Sequence, residues 1–397
     1  MAILDRLSRA TNSRHFIPEV DGFRFFSIVI VMLMHLNVCF GRTLGYDYLT
    51  GQNIFGSFGY FITRGGLGVQ VFFAISGFIV SMPFLRYYLQ QSDSIPCRTL
   101  VAKPSLGGYF LRRLTRLQPP FIIAITFFFI VHIFLKQMPM NELWKHYAAT
   151  MIYSHCFIYG QWSPINPVTW SLETEVQFYI IAPFLCAFIF SYCKKRYSPA
   201  VICTISIGAM LCAYFLRDGY EALHLTSSIF QQIQFFLVGV LVAFIYLTNP
   251  EFLRKKSIYY DMLGIASMLM LFYFAFGRFI SDVGFILFLF LLFISIFKGK
   301  YLNKFFTSKF VYTVGGMCYS IYLLHYPSFY LICKLTRHLA VFNSYVANYF
   351  VQVIVVFPIV LVISTLFYYY IERPCMDKNW PKKLAAKWAG LVSYKKA

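Results

Sequence analysis

Long apolar runs separated by short polar segments make up most of the chain. A membrane-spanning helix needs roughly 20 mostly apolar residues, and ten runs approach or reach that length. The ten predicted spans are 23–40, 66–85, 119–135, 174–192, 200–216, 228–247, 258–277, 280–297, 310–333 and 346–371. An eleventh apolar stretch, 147–160, is shorter and interrupted by polar side chains, so hydropathy alone leaves its placement open. The pattern therefore predicts an all-α integral membrane protein.

Lysine and arginine residues alternate in number between the segments that separate these runs. Counted from the N-terminus, the odd-numbered segments hold 26 basic residues and the even-numbered segments hold 8. Because cytoplasmic loops collect Lys and Arg, this alternation predicts ten transmembrane helices with both termini in the cytoplasm. A crossing by 147–160 would invert every later loop. We therefore predict that this stretch is a short re-entrant or interfacial helix on the outer side.

The composition agrees with a membrane protein and removes two other interpretations. Of the 397 residues, 59% are hydrophobic and 13% are charged, and the mean hydropathy is +0.64, which is too apolar for a soluble protein of this length. The net charge of +20 is explained by cytoplasmic loops near anionic lipid heads, so nucleic acid is not an expected partner. The ten cysteines form no C-x-x-C pair and give no sign of a disulfide framework.

The chain is predicted to contain a membrane domain, 1–374, and a basic cytoplasmic tail, 375–397. The tail includes Trp380 and Trp388 among its lysines, a composition that favours contact with the inner leaflet. No small-residue cleavage site follows the first apolar run, so we expect that run to be retained as a span rather than removed as a signal peptide.

The first apolar run carries Arg24 near its start and His35 eleven residues later. Eleven helical residues turn about 20° beyond three full turns and rise about 16 Å, so the two side chains share a face. Polar residues within a span are costly and should face protein or a wet cavity. An interhelical hydrogen bond is the alternative role for His35. The shared face favours a functional role, because a neutral imidazole can accept a hydroxyl proton near pH 7.

Two further motifs lie on the second span and just before the third. Ser76-Gly77 is predicted to permit close helix packing, and a nucleophilic serine would need a base that the neighbouring sequence does not supply. Arg112, Arg113 and Arg116 precede the third span, and the last two share a helical face. They are either an inner-leaflet anchor or an anion site, since guanidinium groups bind phosphate bidentately.

Two carboxylates follow Trp170 at the predicted outer mouth of the fourth span. Glu173 can be explained as a charge that the start of a helix favours. Glu175 sits deeper, where a carboxylate is expensive, and is the better functional candidate. We predict that Glu175 orients His35 or balances its charge.

The last candidates lie on the ninth and tenth spans. Tyr319 and His325 belong to the ninth, where an interhelical hydrogen bond is the alternative role for His325. Glu372, at the end of the tenth, is predicted to pair with an inner-side arginine. The predicted topology places His35, Glu175 and His325 in the outer half of the bilayer, and it places Arg24, Arg113, Arg116 and Glu372 at the inner end. This arrangement predicts that a donor molecule enters from the cytoplasm and that an acceptor molecule binds from the outside.

Taken in order, these motifs resemble acyltransferase family 3, the multi-pass membrane O-acyltransferases that modify bacterial glycans. The resemblance runs from about Val20 to Pro374. The motifs that carry it are Asp21-Gly-Phe-Arg24 with His35 after ten intervening residues, Ser76-Gly77-Phe78, Arg112-Arg113-x-x-Arg116, Trp170-Ser-Leu with Glu175, Tyr319-Ser-x-Tyr-Leu-Leu-His325 and Ile371-Glu-Arg-Pro374. Glu173 and Gln118 depart from the residue types that are common in the family at those positions.

The resemblance implies transfer of an acetyl group from acetyl-CoA to a sugar hydroxyl at the bacterial inner membrane. The expected acceptor is a cell-envelope or lipid-linked carbohydrate such as O-antigen, and the expected surroundings are membrane lipids. The expected roles are catalysis for His35, Glu175 and Arg24, donor binding for Arg113, Arg116 and Arg112, and substrate binding for His325, Tyr319, Trp170 and Ser76. No metal is expected, because the histidines lie on separate spans without ligand spacing.

A secondary transporter for an anionic solute is the alternative function. Transporters often contain interrupted helices in two related halves, and the sequence shows no such duplication. Some members of the resembled family carry a hydrolase-like extracytoplasmic domain after the last span. Because this chain ends soon after Pro374, we expect it to lack one. The sequence carries no signal for an oligomeric state.

Overall fold

The computed structural model describes residues 7, 16–45, 59, 62–91, 102–136, 138–192, 197–275, 279–377 and 380. Of the predicted tail, only 375–377 and 380 belong to this set, and Trp388 lies outside it. In the described residues the secondary structure is helical and no β-strand occurs.

The helices are numbered here in chain order. They are α1 (Pro18–Thr43), α2 (Leu67–Gln91), α3 (Leu106–Leu135), α4 (Met140–Met151), α5 (His155–Tyr159), α6 (Thr169–Ala187), α7 (Ser198–Phe215), α8 (Arg217–Ala222), α9 (Ile229–Thr248), α10 (Pro250–Arg254), α11 (Ile258–Phe274), α12 (Phe279–Lys298), α13 (Tyr301–Phe306), α14 (Lys309–Gly316), α15 (Cys318–Thr336), α16 (Tyr345–Phe367) and α17 (Arg373–Cys375). Turns of π-helix, Phe188–Tyr192 and Tyr368–Glu372, extend α6 and α16.

Eight helical stretches in the described residues are long and apolar enough to cross a bilayer, which confirms the multi-pass helical fold. The predicted spans 258–277 and 310–333 do not belong to these eight. The first is α11, of 17 residues, and the second is split at Met317 into α14 and α15. The orientation of the termini stays a prediction.

Helix α1 lies at the centre of the bundle and packs against α2, α14 and α15. Pro18 begins it, at a position where the missing backbone N–H has no helical partner to lose. Large apolar residues along its length, including Phe23, Ile28 and Phe40, are fully buried. The polar residues Asp21, Ser27 and Asn37 of α1 are likewise buried within protein.

Helices α2 and α9 cross at two glycines. A Cβ on Gly77 would overlap the carbonyl oxygen of Phe236, and a Cβ on Gly239 would overlap that of Ala74. Phe73 of α2 stacks on Phe236 beside this crossing, with ring centroids 4.7 Å apart. The close packing predicted for Ser76-Gly77 is confirmed at Gly77.

Helix α3 begins well before the predicted span at 119. It has 30 residues, about 45 Å, and its first turn is capped by Ser105, whose hydroxyl oxygen accepts from the backbone N of Gly108 at 3.2 Å. The three arginines predicted to precede the span therefore lie within this helix.

The connection after α3 folds back along it. Tyr147 of α4 shares a hydrogen bond with Thr126 (2.8 Å), whereas the Tyr153 hydroxyl donates to Gln118 (2.9 Å) and its ring stacks on Phe121. As the residue number rises in the connection, the number of its partner on α3 falls, so the two run antiparallel. These contacts agree with the re-entrant placement predicted for 147–160.

Helix α6 consequently starts inside the bundle. The residues just before it meet the first third of α15, where Asn166 donates to the carbonyl of Leu323 (2.9 Å) and the Tyr322 hydroxyl donates to the carbonyl of Val168 (3.1 Å). The first turns of α6 are thus level with the arginine-bearing part of α3 and with α15, a position that decides where Glu175 lies.

Candidate active site

A polar cavity of about 100 Å³ lies among α1, α2, α3, α6 and α15. Residues from six separate stretches of sequence meet in its lining. Six of the ten predicted site residues line it: Arg24, Ser76, Arg113, Arg116, Glu175 and Tyr319. Glu372, from the end of the last long helix, joins them. The structure therefore brings together the arginines and Glu372 that the sequence assigns to one end of the bundle.

The charged groups of this polar cavity are held by neighbouring side chains. Arg24 forms an ion pair with Asp21 one turn earlier. The guanidinium carbon of Arg113 lies 4.9 Å from the ring centroid of Tyr179, a cation–π contact. Three guanidinium groups around one small cavity form a site suited to phosphate or carboxylate oxygens.

Glu372 is held by the start of α15. Its carboxylate accepts from the backbone N of Ser320 (3.1 Å) and from the Ser320 hydroxyl (2.5 Å). The sequence predicts an arginine partner for Glu372. The structure adds Ser320 as a partner and places the carboxylate in the same lining as Arg113 and Arg116.

Ser76 has an acidic partner that the sequence does not reveal. Its hydroxyl donates to the carboxylate of Glu175, 99 residues away. The packing of α2 against α6 makes this contact, and no local motif indicates it.

The predicted pairing of Glu175 with His35 is wrong. Glu175 lies in the polar cavity with Ser76 and Arg113, whereas the partner of His35 is His325. The prediction placed Glu175 at the outer mouth of a span. Because the re-entrant segment carries the chain into the bundle before α6 begins, Glu175 sits level with the arginines of α3.

His35 and His325 form a hydrogen-bonded pair that joins α1 to α15. The Nδ1 atom of His35 lies 2.8 Å from Nε2 of His325. The Nδ1 atom of His325 lies 2.8 Å from the carbonyl oxygen of Tyr322 and 3.1 Å from that of Ile321. An interhelical hydrogen bond, the alternative role considered for both residues, is therefore present.

The partners of this pair determine where its protons lie. Carbonyl oxygens only accept, so Nδ1 of His325 carries a proton and Nε2 of the neutral ring is an acceptor. Nδ1 of His35 then donates to it. The remaining nitrogen, Nε2 of His35, is left unprotonated, which is the state that a general base requires.

The histidine pair lies just beyond one end of the polar cavity. His325 is fully buried and His35 is half-buried. Tyr322 connects the two places, because it lines the polar cavity and its ring centroid lies 5.5 Å from that of His325. Along α1, the rise from Arg24 to His35 is about 16 Å. The cavity and the histidine pair thus lie at successive levels along α1, with Tyr322 between them.

A second, largely apolar cavity of about 620 Å³ adjoins the first between α3 and α6. The two share six lining residues: Arg113, Leu117, Leu172, Glu175, Tyr179 and Tyr319.

Besides His35 and His325, two predicted site residues line neither cavity. Arg112 is exposed on α3, next to Arg113 in sequence but on a different face. Trp170 stacks on Trp162, with ring centroids 6.2 Å apart, and meets the ring of Phe73 edge-on. Their predicted roles in donor and substrate binding stay predictions.

A second histidine pair lies in the re-entrant connection, and the sequence reasoning missed it. His146 Nδ1 is 2.9 Å from His155 Nε2, and His155 Nδ1 is 3.0 Å from the carbonyl oxygen of Gln161. Burial lowers the pKa of His155 to about 4, against the opposing effect of the Gln161 carbonyl. The nine-residue spacing of the two histidines carries no signal, since the turn after α4 brings them together.

Glu173 holds this connection against α6. Its carboxylate accepts from the backbone N of Cys156 at 2.9 Å and is almost fully buried. The predicted helix-start role is thus modified: Glu173 stabilises the start of α5 rather than its own helix. Across the described ranges, no three His, Cys, Asp or Glu side chains are grouped as metal ligands would be.

Comparison with known proteins gives a family match and several relatives. A family model described as an acyltransferase domain matches residues 17–369. The O-acetyltransferase OatA of Staphylococcus aureus (strain NCTC 8325 / PS 47) is 26% identical over 399 aligned positions, which cover 93% of this chain and 58% of that protein. The peptidoglycan O-acetyltransferase OatA of Listeria monocytogenes serovar 1/2a is 25% identical over 429 aligned positions, which cover 96% of this chain and 62% of that protein. The chain thus spans about three-fifths of the length of these curated relatives. No solved structure matches.

Proposed function

The chain belongs to the acyltransferase domain family, and on that premise we propose that it is an O-acetyltransferase of the bacterial cytoplasmic membrane. It moves an acetyl group from acetyl-CoA to a hydroxyl of a cell-envelope or lipid-linked carbohydrate. The names of the two relatives support O-acetyl transfer, and the name of the Listeria protein supports a glycan of the cell wall as acceptor.

The observation that carries this proposal is the hydrogen-bonded His35–His325 pair, whose carbonyl partner implies that Nε2 of His35 is the unprotonated nitrogen. Nε2 of His35 accepts the proton of the acceptor hydroxyl while the hydroxyl oxygen attacks the thioester carbonyl. The new C–O bond forms as the C–S bond breaks. The thiolate of CoA takes up a proton and leaves as the thiol, and His35 returns to the neutral state.

The polar cavity supplies the donor site in this proposal. The phosphates of CoA meet the guanidinium groups of Arg113, Arg116 and Arg24, which bind such anions through charge-assisted hydrogen bonds. The pantetheine arm then crosses the interval of about 16 Å along α1 to bring the thioester to His35. Ser76 and Glu175 contact the arm within the polar cavity.

The predicted topology sets the direction of transfer. With the N-terminus in the cytoplasm, the arginines lie towards the cytoplasm and His35 towards the outside. Donor and acceptor therefore approach from opposite sides. The family match and the histidine pair both favour group transfer over the alternative, a transporter of an anionic solute.

A reconstituted system tests the proposal. Purified protein in liposomes receives acetyl-CoA labelled in the acetyl group on one side and cell-wall glycan fragments on the other. We expect the label to appear on the glycan as a base-labile ester, with one free CoA released per acetyl group transferred. Solute uptake that does not depend on CoA, or glycan labelling that persists unchanged in His35→Ala, would contradict the proposal.

A further inference from the structure

Two consecutive prolines interrupt the hydrogen-bond ladder of α3 just after its arginines. Pro119 has no N–H with which to donate to the carbonyl of Thr115 four residues earlier. A helix commonly kinks where such a bond is lost. A backbone carbonyl left without a donor inside a membrane protein is costly, so Thr115 needs a donor from elsewhere.

Trp380 supplies that donor. Its indole Nε1, which can only donate, lies 3.0 Å from the carbonyl oxygen of Thr115. Trp380 is partly buried, and its own backbone N donates to the carbonyl of Asp377 at 2.9 Å. The bonded carbonyl lies between Arg113 and Arg116 in sequence, the two arginines of α3 that line the polar cavity.

The segment that leads to Trp380 also reaches the polar cavity. Glu372, eight residues earlier, lines it together with Arg113 and Arg116. The π-helical turn Tyr368–Glu372 and helix α17 pack against α3. The C-terminal segment therefore contacts α3 in two ways: its helical turns pack on α3, and the Trp380 hydrogen bond reaches Thr115 in the arginine-bearing part.

We propose that Trp380 is a positioning residue for the donor: it holds α3 at the proline interruption so that Arg113 and Arg116 face the polar cavity. This inference rests on the proposed function, because it takes these arginines to bind the phosphates of CoA. Without the indole N–H, the interrupted turn gains freedom and the two guanidinium groups lose their shared orientation. The chemistry at His35, on α1, does not depend on this hydrogen bond.

Binding of CoA to the full-length protein in lipid nanodiscs tests the inference without any turnover. Trp380→Phe keeps an aromatic ring and removes the donor. Loss of one such hydrogen bond should raise the Kd for CoA about two- to tenfold. Trp380→His, which retains a ring N–H, should recover part of the affinity. Trp144→Phe, at an exposed tryptophan of α4, is the matched control and should bind CoA as the wild type does.

A double-mutant cycle with Pro119→Ala isolates the hydrogen bond. Alanine at 119 restores a backbone N–H four residues after Thr115, so the helix can satisfy the Thr115 carbonyl itself. In that background we expect Trp380→Phe to change the Kd for CoA less than twofold. Equal losses in the two backgrounds, or a Kd that Trp380→Phe leaves unchanged, would overturn the inference.

The outcome of this test is separable from the proposed function. If the wild type does not bind CoA, the donor assignment fails. A second measurement, amide hydrogen exchange across 113–119, then decides the positioning role. If exchange is the same in wild type and Trp380→Phe, the positioning role fails as well. Faster exchange in Trp380→Phe, and wild-type exchange when Pro119→Ala is added, would keep the role of Trp380 for whichever anion the arginines hold.

Discussion

The two histidine pairs share one geometry and differ in surroundings. In each, Nδ1 of one ring meets Nε2 of the other, at 2.8 Å for His35–His325 and 2.9 Å for His146–His155. In each, the second ring directs its Nδ1 at a backbone carbonyl oxygen, of Tyr322 or Gln161. The same reasoning therefore leaves one unprotonated nitrogen on His35 and one on His146.

What separates the pairs is exposure and connection. His35 is half-buried and lies about 16 Å along α1 from Arg24, one of three arginines around the polar cavity. Both members of the second pair are buried in the re-entrant connection. The first pair joins residues 290 positions apart and the second joins residues nine apart. A hydrogen-bonded histidine pair is thus not a catalytic signature by itself. Access to substrate and a nearby donor site give the first pair its proposed role.

The largest expected effect comes from removing the two unprotonated nitrogens in turn. His35→Ala should lower acetyl transfer per folded molecule about 10²- to 10⁴-fold, the usual contribution of a positioned general base. His146→Ala removes the equivalent nitrogen from the buried pair and should leave transfer per folded molecule within about threefold, since no substrate reaches it. Radiolabel transfer to glycan, normalised to folded protein by size-exclusion chromatography, measures both. Similar losses in the two variants would remove the distinction between the pairs.

The donor site is tested by neighbouring arginines. Arg113→Lys keeps the charge but loses the bidentate fork and should raise the KM for acetyl-CoA about tenfold. Arg112→Lys is the matched control on an exposed face and should change that KM less than about twofold. Steady-state transfer at varied acetyl-CoA measures both. If the two variants behave alike, the polar cavity is not the donor site.

How far the sequence predicts these features depends on the range of the interactions. The shared face of Arg24 and His35 follows from helical periodicity alone, and loop charge places Arg24, Arg113, Arg116 and Glu372 together. Both predictions agree with the structure. The position of Glu175 does not, because it depends on how deep the re-entrant segment carries the chain before α6 begins.

Contacts between distant helices lie beyond such reasoning. Ser76 and Glu175 meet only because α2 packs on α6, and His146 meets His155 only through the turn after α4. Trp380 bonds to Thr115 because a proline elsewhere in α3 removes the local donor. In each case one residue is visible in the sequence and its partner is selected by tertiary packing.

The smallest expected effect is a pH dependence of stability that belongs to the buried pair. The pKa of His155 is lowered to about 4 by burial, whereas a histidine in an unfolded chain has a pKa near 6.5. The unfolded state therefore binds the proton more readily. The contribution of the neutral His155 ring to the free energy of unfolding is fully present above about pH 6.5. It is lost as the pH falls from about 6.5 to about 4, by at most about 1.4 kcal/mol per pH unit.

Thermal unfolding in detergent across that pH range measures this effect. In His155→Phe, the loss of stability between about pH 6.5 and pH 4 should be smaller by the contribution of His155. The pH dependence of stability that comes from other groups should remain. An identical pH dependence in wild type and His155→Phe would show that the buried pair does not couple to stability in this way.

The most direct test of the account compares the two rings that fix the tautomer of their partners. His325→Phe and His155→Phe each keep an aromatic ring and remove the acceptor nitrogen of one pair. Loss of its acceptor should let the His35 ring change tautomer and orientation, so His325→Phe should lower kcat about 10- to 100-fold at an unchanged KM for acetyl-CoA. His155→Phe should leave kcat per folded molecule within about threefold. A wild-type kcat in His325→Phe, or equal losses of kcat in both variants, would contradict the claim that His325 prepares His35 as the base.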